Sequence, residues 1–272
     1  MTSVPSVVEW NTDMARPRAL VLRAAGTNCD RETEYALQQA GFAAERVHVF
    51  RLMENPAALK DWQFLVIPGG FSYGDDVAAG KILANQMLYR LADALNEFVA
   101  DGRLVLGICN GFQVMLKSGL LPWGRVEPQR AHADATLGWN DSGRFEDRWV
   151  HLRADSDKCV FLPKGEVVAL PIAHGEGKFI PRDDGVLSRL REGDQVAVRY
   201  VDAAGKPGGY PINPNGSVDD VAGLCDPSGR AMGLMPHPER FVHPTHHPQW
   251  THRRPDRADG MLFFERARAY FR

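Results

Sequence analysis

A short segment around Cys109 constrains the fold more than any other part of the chain. An apolar run at 104–106 leads into the pentapeptide Gly-Ile-Cys-Asn-Gly at 107–111, with a glycine two positions to either side of the cysteine. This pattern predicts a buried strand, a sharp turn that carries the thiol and a helix behind it, which is the cysteine form of a nucleophile elbow. Such a turn strains the backbone and brings strand and helix so close that a Cβ at Gly107 or Gly111 would clash.

Alternating apolar and amphipathic segments predict an α/β fold. Strands are expected at 19–22, 46–50, 64–67 and 104–108, and helices at 31–40, 81–99 and 111–117. This alternation indicates a doubly wound, mostly parallel sheet with right-handed crossovers. After Pro122 the pattern changes, and strands expected at 144–153, 166–173 and 195–201 follow one another with little helix between them. We therefore expect an antiparallel extension of the same sheet.

The chain is expected to form one domain at 18–272. Its 272 residues suffice for one large domain or two small ones, and the second half is interpreted as part of the first sheet. A His-rich loop and a helix at 259–271 are expected to close the domain. Residues 1–17 are interpreted as an N-terminal extension, and they lack the continuous apolar core of a secretory signal.

Composition excludes several classes of function. The formal net charge is -2, so no broad basic surface is expected to bind nucleic acid or an anionic membrane. No apolar run approaches the roughly 18 residues that cross a bilayer. The four cysteines form neither a C-x-x-C pair nor a disulfide framework. This cysteine usage favours a reducing, cytoplasmic location.

A second segment supplies the partners that a cysteine nucleophile needs. His237-Pro238-Glu239 closes the apolar stretch at 231–235. Alternate residues of an extended chain point to one side, so a strand end could present His237 and Glu239 together. A thiol, an imidazole and a carboxylate suit acyl transfer through a thioester. Each segment alone also fits an ordinary interpretation, a buried small side chain for Cys109 and a plain strand end for His237.

The other groups that an acyl-transfer site needs can be assigned from their positions at the ends of predicted strands and helices. A helix that begins after Cys109 favours the thiolate through its dipole. The backbone N–H of Asn110 is expected to donate to a tetrahedral oxyanion. Gly69-Gly70, at the end of a neighbouring strand, is expected both to form a tight turn and to supply a second donor. The other cysteines, Cys29, Cys159 and Cys225, are interpreted as structural thiols.

Two further patterns are rejected as ligand-binding sites. The segment 74–82 is similar to a phosphate-binding loop, but its glycine spacing is one residue too long and Ile82 stands where serine or threonine is required. The histidines in the loop at 243–252 lack a regular ligand spacing, so no metal site is predicted there.

Several longer sequence motifs together resemble those of a known family. GICNGFQ at 107–113 and His237-Pro238-Glu239 resemble the class I, triad-type glutamine amidotransferases, which have a flavodoxin-like sheet. The match narrows to the glutaminase subunits of phosphoribosylformylglycinamidine synthase through five strings: GTNCD at 26–30, PGGFSYGD at 68–75, HGEG at 174–177, NPNGS at 213–217 and MPHPER at 235–240.

This resemblance implies a division of labour between two proteins. The chain would hydrolyse glutamine through the triad Cys109, His237 and Glu239, while Gln113 and the region of Gly69 and Gly70 help to hold the substrate. His174 is counted with the substrate-binding residues, and the segment 174–177 would lie near the site or the partner face. Ammonia would pass to a synthetase subunit, assisted by a small accessory subunit, that uses ATP and Mg to convert formylglycinamide ribonucleotide to the amidine. The chain itself would need no cofactor.

Two alternatives remain at this stage. The residues alone indicate only cysteine-dependent hydrolysis of an amide or ester, so a stand-alone cysteine hydrolase or peptidase fits them too. A non-catalytic binding module that keeps the fold is the third interpretation.

Overall fold

The computed structural model describes residues 16–127, 134–253 and 255–272, so most of the expected N-terminal extension lies outside the described residues. The strands are β1 Arg18–Arg23, β2 Ala43–His48, β3 Phe64–Ile67, β4 Leu104–Ile108, β5 Ala135–Trp139, β6 Glu146–Ala154, β7 Val167–His174, β8 Glu176–Pro181, β9 Val196–Val201, β10 Val221–Cys225 and β11 Ala231–Leu234. The α-helices are α1 Asp30–Gln39, α2 Val49–Glu54, α3 Lys81–Arg90, α4 Ala92–Ala100, α5 Asn110–Lys117, α6 Leu120–Trp123, α7 Asp184–Glu192, α8 Trp250–Arg253 and α9 Met261–Ala269. Short 3₁₀ helices lie at Pro56–Asp61, Ser72–Asp75, Val218–Asp220, Pro238–Arg240 and Pro244–His246.

A nine-stranded mixed sheet forms the centre of the fold, in the order β2-β1-β3-β4-β11-β10-β9-β6-β7. The first five strands pair in parallel, and the other four are added antiparallel. Every residue of β3 and β4 is buried, as expected for central strands that are covered on both faces. The predicted parallel α/β sheet with an antiparallel extension is confirmed.

The functional segments follow parallel strands, and their positions follow from this topology. The carboxyl ends of parallel strands meet at one edge of a sheet, where open α/β sheets bind ligands. Cys29 follows β1, Gly69 follows β3, Cys109 follows β4 and His237 follows β11. Four segments that are far apart in sequence therefore share this edge.

The elbow at Cys109 has the strained geometry that its glycines predict. Cys109 has φ 51° and ψ −106°, a region that is costly for a residue with a side chain. A Cβ at Gly107 would lie 2.8 Å from the backbone of Gly111, and a Cβ at Gly111 would overlap the carbonyl oxygen of Ile67. Both glycines are thus required by close packing of α5 against the sheet.

Several local elements differ from the sequence-based expectation. The helix expected at 81–99 is divided into α3 and α4 at Leu91, whose φ of −125° is not helical. Helix α1 begins at Asp30, one residue before the expected start, and the buried carboxylate of Asp30 pairs with Arg23 and Arg46. Helix α7 and the separate two-stranded sheet of β5 and β8 were not predicted.

The part of the chain that the structure describes contains no helix long and apolar enough to span a membrane.

Candidate active site

The thiol of Cys109 lies at the floor of a pocket and is almost completely buried, with 6% of the residue exposed. Its backbone N–H donates to the carbonyl of Leu234 at 2.8 Å, which connects the elbow to β11. The sulfur lies 3.9 Å from the carbonyl oxygen of Ala173 at the end of β7. Strand β7 is the far edge of the sheet, so the antiparallel extension curls back over the carboxyl edge of the parallel strands.

His237 and Glu239 form a buried hydrogen-bonded pair. The Nδ1 atom of His237 lies 2.6 Å from Oε1 of Glu239, and both residues are 1% exposed. Because an ionised carboxylate only accepts, Nδ1 carries the proton and Nε2 is left as the basic atom. The backbone N–H of His237 donates to the carbonyl of Pro171 at 2.9 Å and fixes this segment against β7.

The backbone that presents this pair is not the extended strand end expected from the sequence. Pro238–Arg240 form a short 3₁₀ helix that begins at the proline, because the ring of Pro238 fixes φ at a helical value. The imidazole and the carboxylate nevertheless lie side by side, as expected.

Burial and three neighbouring side chains set the protonation of His237. Burial alone lowers the pKa of His237, but the negative charges of Glu239 and Cys109 outweigh it and hold the pKa well above its ordinary value. The Cys29 thiol acts in the same direction. The imidazole therefore readily carries a proton, and an imidazolium beside a sulfur stabilises negative charge on that sulfur.

A network of side-chain amides supports the start of α5. Oδ1 of Asn110 accepts from the hydroxyl of Ser72 at 2.7 Å, and its Nδ2 donates to Asp75 and Gln113. Nε2 of Gln113 donates in turn to the carbonyl of Glu176 at 2.7 Å. The network thus joins the loop after β3, the elbow helix and the start of β8 around one pocket.

Gly69 and Gly70 are required by close approaches on two sides. A Cβ at Gly69 would lie 2.8 Å from Cε1 of His237 and 3.4 Å from Cβ of Cys109. Gly70 has φ +131°, and a Cβ there would lie 2.7 Å from the backbone nitrogen of Asn28. Only glycines allow the backbone after β3 to lie against both the elbow and the loop after β1.

His174 is a buried imidazole whose tautomer follows from its neighbours. The Nδ2 group of Asn140 donates to the carbonyls of Arg144 and His174, so its Oδ1 must accept from Nδ1 of His174, at 3.1 Å. Nε2 is therefore an acceptor, and it has no hydrogen-bond partner among the described residues. Burial, together with the charge of His237, lowers the pKa of His174 to about 3. The ring is neutral at physiological pH.

These groups surround a pocket of about 490 Å³. Of the residues singled out from the sequence, Gly70, Cys109, Gln113, His174 and His237 line it directly. Gly175 and Glu176 also line it, within the segment 174–177 that was expected near the site or the partner face. Sequence reasoning did not single out the other lining residues, which are Asn28, Phe71, Asp75, Ala79, Trp139, Phe145, Ala173 and Arg240. The sequence motifs at 26–30, 68–75, 174–177 and 235–240 contain most of the additional lining residues, Gly175 and Glu176 included. These motifs were the sequence signal from which a place at the pocket could have been predicted.

Cys29, interpreted from the sequence as a structural thiol, lies next to the candidate active site. Its sulfur lies at the sheet edge that carries Cys109 and His237, where it accepts a hydrogen bond from Nη2 of Arg240 at 3.1 Å and acts on His237. Cys159 and Cys225 are also buried free thiols, and they lie against each other near Ser156, away from this pocket.

Comparisons with known proteins agree with this architecture. The family model of the CobB/CobQ-like glutamine amidotransferase domain matches residues 16–271. Phosphoribosylformylglycinamidine synthase subunit PurQ of Dehalococcoides mccartyi is 42% identical over 257 residues, which cover 93% of this chain and 97% of the relative. The PurQ subunit of Treponema denticola is 43% identical, with 84% and 89% covered.

A solved structure extends the likeness to three dimensions. A chain of the PurLQS structure from Thermotoga maritima superimposes with a TM-score of 0.71 at 32% identity, and the match covers 94% of this chain and all of that one. Sequence motifs, fold and relatives thus agree, and the chain belongs to the PurQ subunits of phosphoribosylformylglycinamidine synthase, within the CobB/CobQ-like glutamine amidotransferase domain family.

Proposed function

We propose that the chain is the glutaminase of a phosphoribosylformylglycinamidine synthase and hydrolyses glutamine to glutamate and ammonia at Cys109. The observation that carries this proposal is the 2.6 Å His237–Glu239 pair beside a buried, strained thiol in a pocket of about 490 Å³. That pocket is large enough for an amino acid.

The reaction follows from the chemistry of the three side chains. The thiolate of Cys109 attacks the γ-amide carbon, and the protonated imidazole of His237 gives its proton to the departing nitrogen, which leaves as ammonia. A thioester to Cys109 remains. His237 then removes a proton from water, which attacks the thioester and releases glutamate. Throughout, Glu239 holds the tautomer and stabilises the imidazolium.

The tetrahedral oxyanion requires donors that are fixed before the reaction. We infer that the backbone N–H of Asn110 and a backbone N–H of the Gly69-Gly70 segment supply them. The Asn110 side chain supports this role, since its hydrogen bonds to Ser72, Asp75 and Gln113 fix the first turn of α5. Gln113 contributes by positioning the 174–177 segment through its bond to Glu176.

The neutral imidazole of His174 is proposed to hold the substrate. Its Nε2 lone pair can accept a hydrogen bond from a nitrogen of glutamine, and no group of the described chain uses this acceptor.

Replacing His174 by phenylalanine is expected to raise KM for glutamine more than it lowers kcat, because the ring volume is kept and the acceptor is lost. A lost hydrogen bond to a charged donor costs about 1.5–3 kcal/mol, roughly a 10- to 100-fold rise in KM. His174→Gln, which keeps an acceptor, should be milder. Steady-state glutaminase kinetics of both variants test the role, and an unchanged KM in the phenylalanine variant would refute it.

We also propose partner subunits, because the step that uses ATP would take place on another protein. Phe71, Trp139 and Phe145 are exposed and line the pocket. Apolar side chains around a pocket mouth suit docking of another protein. We infer that a synthetase subunit and a small accessory subunit dock here, receive the ammonia and carry out the step that uses ATP and Mg. The four free cysteines fit a cytoplasmic enzyme.

Coupling to the partner is expected to control the rate. The isolated chain should hydrolyse glutamine slowly, and docking of the synthetase with ATP and acceptor bound should order the segments around Gly69-Gly70 and His174. A coupling of 1–3 kcal/mol corresponds to a rate increase of roughly 5- to 150-fold.

This coupling is tested by ammonia release at saturating glutamine, with and without the synthetase and accessory subunits. The assembled complex with Cys109→Ala gives the background. Equal rates for the free chain and the complex would contradict the coupling and favour an independent hydrolase.

A further inference from the structure

One carboxylate that lines the pocket at Cys109 is firmly held and has no counter-ion. Asp75 ends the short 3₁₀ helix after β3 and lies half-buried in the pocket wall. Its Oδ1 accepts from the backbone N–H of Gly80 at 3.1 Å and from Nδ2 of Asn110 at 3.3 Å. Within the described chain its Oδ2 accepts no hydrogen bond, and the carboxylate forms no ion pair. One oxygen of Asp75 is therefore fixed by the protein, and the other is left for a ligand.

The backbone that carries this carboxylate has an unusual conformation. Tyr73, Gly74 and Asp75 have φ of 56°, 69° and 53° in succession, a left-handed conformation that is costly for residues with a side chain. Just before α3, a Cβ at Gly80 would lie 2.8 Å from Cγ2 of Val114, so the end of this segment packs directly on α5. Such conformations persist only where the surrounding structure holds them, and they are concentrated at ligand sites.

The charges around Asp75 favour the arrival of a cation. Lys117 is buried close by, but its Nζ donates to the carbonyl of Ala79 and not to Asp75. Burial raises the pKa of Asp75, and the hydrogen bonds from Gly80 and Asn110, together with the charge of Lys117, act against this effect. A half-buried carboxylate without a bonded counter-ion gains strongly from a cation beside it, because the low local dielectric strengthens the attraction.

Glutamine carries such a cation in its α-ammonium group. Only a short chain of methylene groups separates this ammonium from the γ-amide, so both ends of the substrate must lie in one pocket when Cys109 attacks. An ammonium has three N–H donors. Nε2 of His174, which lines the same pocket, is proposed above to accept a hydrogen bond from a nitrogen of glutamine. A neutral acceptor of this kind leaves the positive charge of the ammonium without a partner.

We propose that the carboxylate of Asp75 binds the α-ammonium of glutamine and restricts the site to amides that carry this group, an inference that rests on the glutaminase function proposed above. Oδ2 accepts from the ammonium, while Oδ1 keeps its hydrogen bond to Asn110. The backbone N–H of Asn110 is proposed to hold the oxyanion. The group that recognises the far end of the substrate is thus connected to the residue beside the nucleophile.

The other carboxylate that lines the pocket is less suited to this task. Glu176 contributes its backbone carbonyl to the network, through the hydrogen bond from Gln113. Its carboxylate makes no hydrogen bond or ion pair with the described residues, so its position is not fixed in advance. Asp75 is held by two donors, and a group that is positioned before binding loses less freedom when the ligand arrives.

The test is a double-mutant cycle between one group of the protein and one group of the ligand. Asp75→Asn removes the charge, keeps the shape of the side chain and suits a left-handed φ, which asparagine tolerates well. Glutaramate is glutamine without the α-ammonium. Binding of glutamine and of glutaramate is measured by calorimetry on the full chain with Cys109→Ala, so that no turnover occurs.

Asp75→Asn should weaken glutamine binding about 10- to 100-fold, the cost of a hydrogen bond between charged groups. It should change glutaramate binding by no more than about twofold, since the ligand group that Asp75 recognises is already absent. Asp76→Asn is the matched control, because Asp76 is the adjacent carboxylate, is exposed and does not line the pocket. It should leave the binding of both ligands unchanged.

Three results would overturn the proposal. An equal loss for both ligands would show that Asp75 only supports Asn110 and Gly80. Loss of the preference for glutamine in Glu176→Gln but not in Asp75→Asn would assign the ammonium to Glu176, and a chain that binds no glutamine would exclude both. Asp75→Gly, which also suits a left-handed φ, serves if the asparagine variant does not fold. Ammonia release is recorded separately with Cys109 intact, so failure of the proposed function would be recognised independently of the binding constants.

Discussion

Replacing Cys109 by alanine is expected to abolish glutamine-dependent synthesis by the assembled complex and to leave synthesis from ammonium salts nearly intact. No thioester can form without the sulfur, and the loss in kcat should be roughly 10⁴-fold or more, as for other nucleophiles that act as part of a triad. The synthetase needs only ammonia, so its own chemistry should continue. The measurement is amidine formation with glutamine or with ammonium chloride as the nitrogen source.

A matched control removes a different buried thiol. Cys159→Ala should retain glutamine-dependent synthesis, because Cys159 lies near Ser156 and Met232, away from the pocket. Appreciable glutaminase activity in the Cys109 variant, or equal loss in the Cys159 variant, would show that the nucleophile is assigned wrongly.

Glu239→Gln is expected to lower kcat by about 10²- to 10⁴-fold, which is less than loss of the thiol. The amide is nearly isosteric, but its Nδ1 contact no longer enforces one tautomer and no longer stabilises the imidazolium. Burial lowers the pKa of His237, and Glu239 is the first of the groups that overcome this effect. Removing the carboxylate charge should therefore lower the pKa of His237 and shift the high-pH decline of kcat to lower pH.

The pH profile of kcat separates this role from a merely structural one. Glu32→Gln is a suitable control, since Glu32 is the other carboxylate near Arg240 and does not contact the imidazole. It should leave the profile unchanged. A Glu239→Gln variant with the rate and profile of the unmodified chain would make Glu239 an ordinary polar residue.

The elbow and the parallel half of the sheet could be predicted because each is specified by a short stretch of sequence. The apolar runs of β1, β3 and β4 are continuous, and the glycines around Cys109 report a steric requirement that the backbone indeed has. The helix predicted over 81–99 was too long because the break at Leu91 has no glycine or proline to signal it.

The antiparallel half determines the pocket in ways that no local pattern reports. Strand β7 returns to Cys109 and His237 only through long-range pairing of β6 with β7 and β9. The environment of His174 depends likewise on Asn140, which is 34 residues away. The pairing of His237 with Glu239 was expected from the sequence, whereas the walls around this pair required the tertiary structure.

Cys29 shows which signal was overlooked. Cys29 follows β1 just as Cys109 follows β4, and parallel strands present their carboxyl ends at one edge. Strand order alone would have placed Cys29 near the candidate nucleophile. Its contact with Arg240, 211 residues away, could not have been derived in that way.

Covalent labelling with a diazoketone analogue of glutamine tests the central claim most directly. The reagent enters a glutamine site and alkylates the nucleophile found there, and digestion followed by mass spectrometry identifies the modified residue. A single adduct on Cys109, formed at the rate at which glutaminase activity is lost and prevented by glutamine, is the expected result. An adduct on Cys29, Cys159 or Cys225, or inactivation without an adduct on Cys109, would contradict it. A peptidase or a non-catalytic module should not react at all.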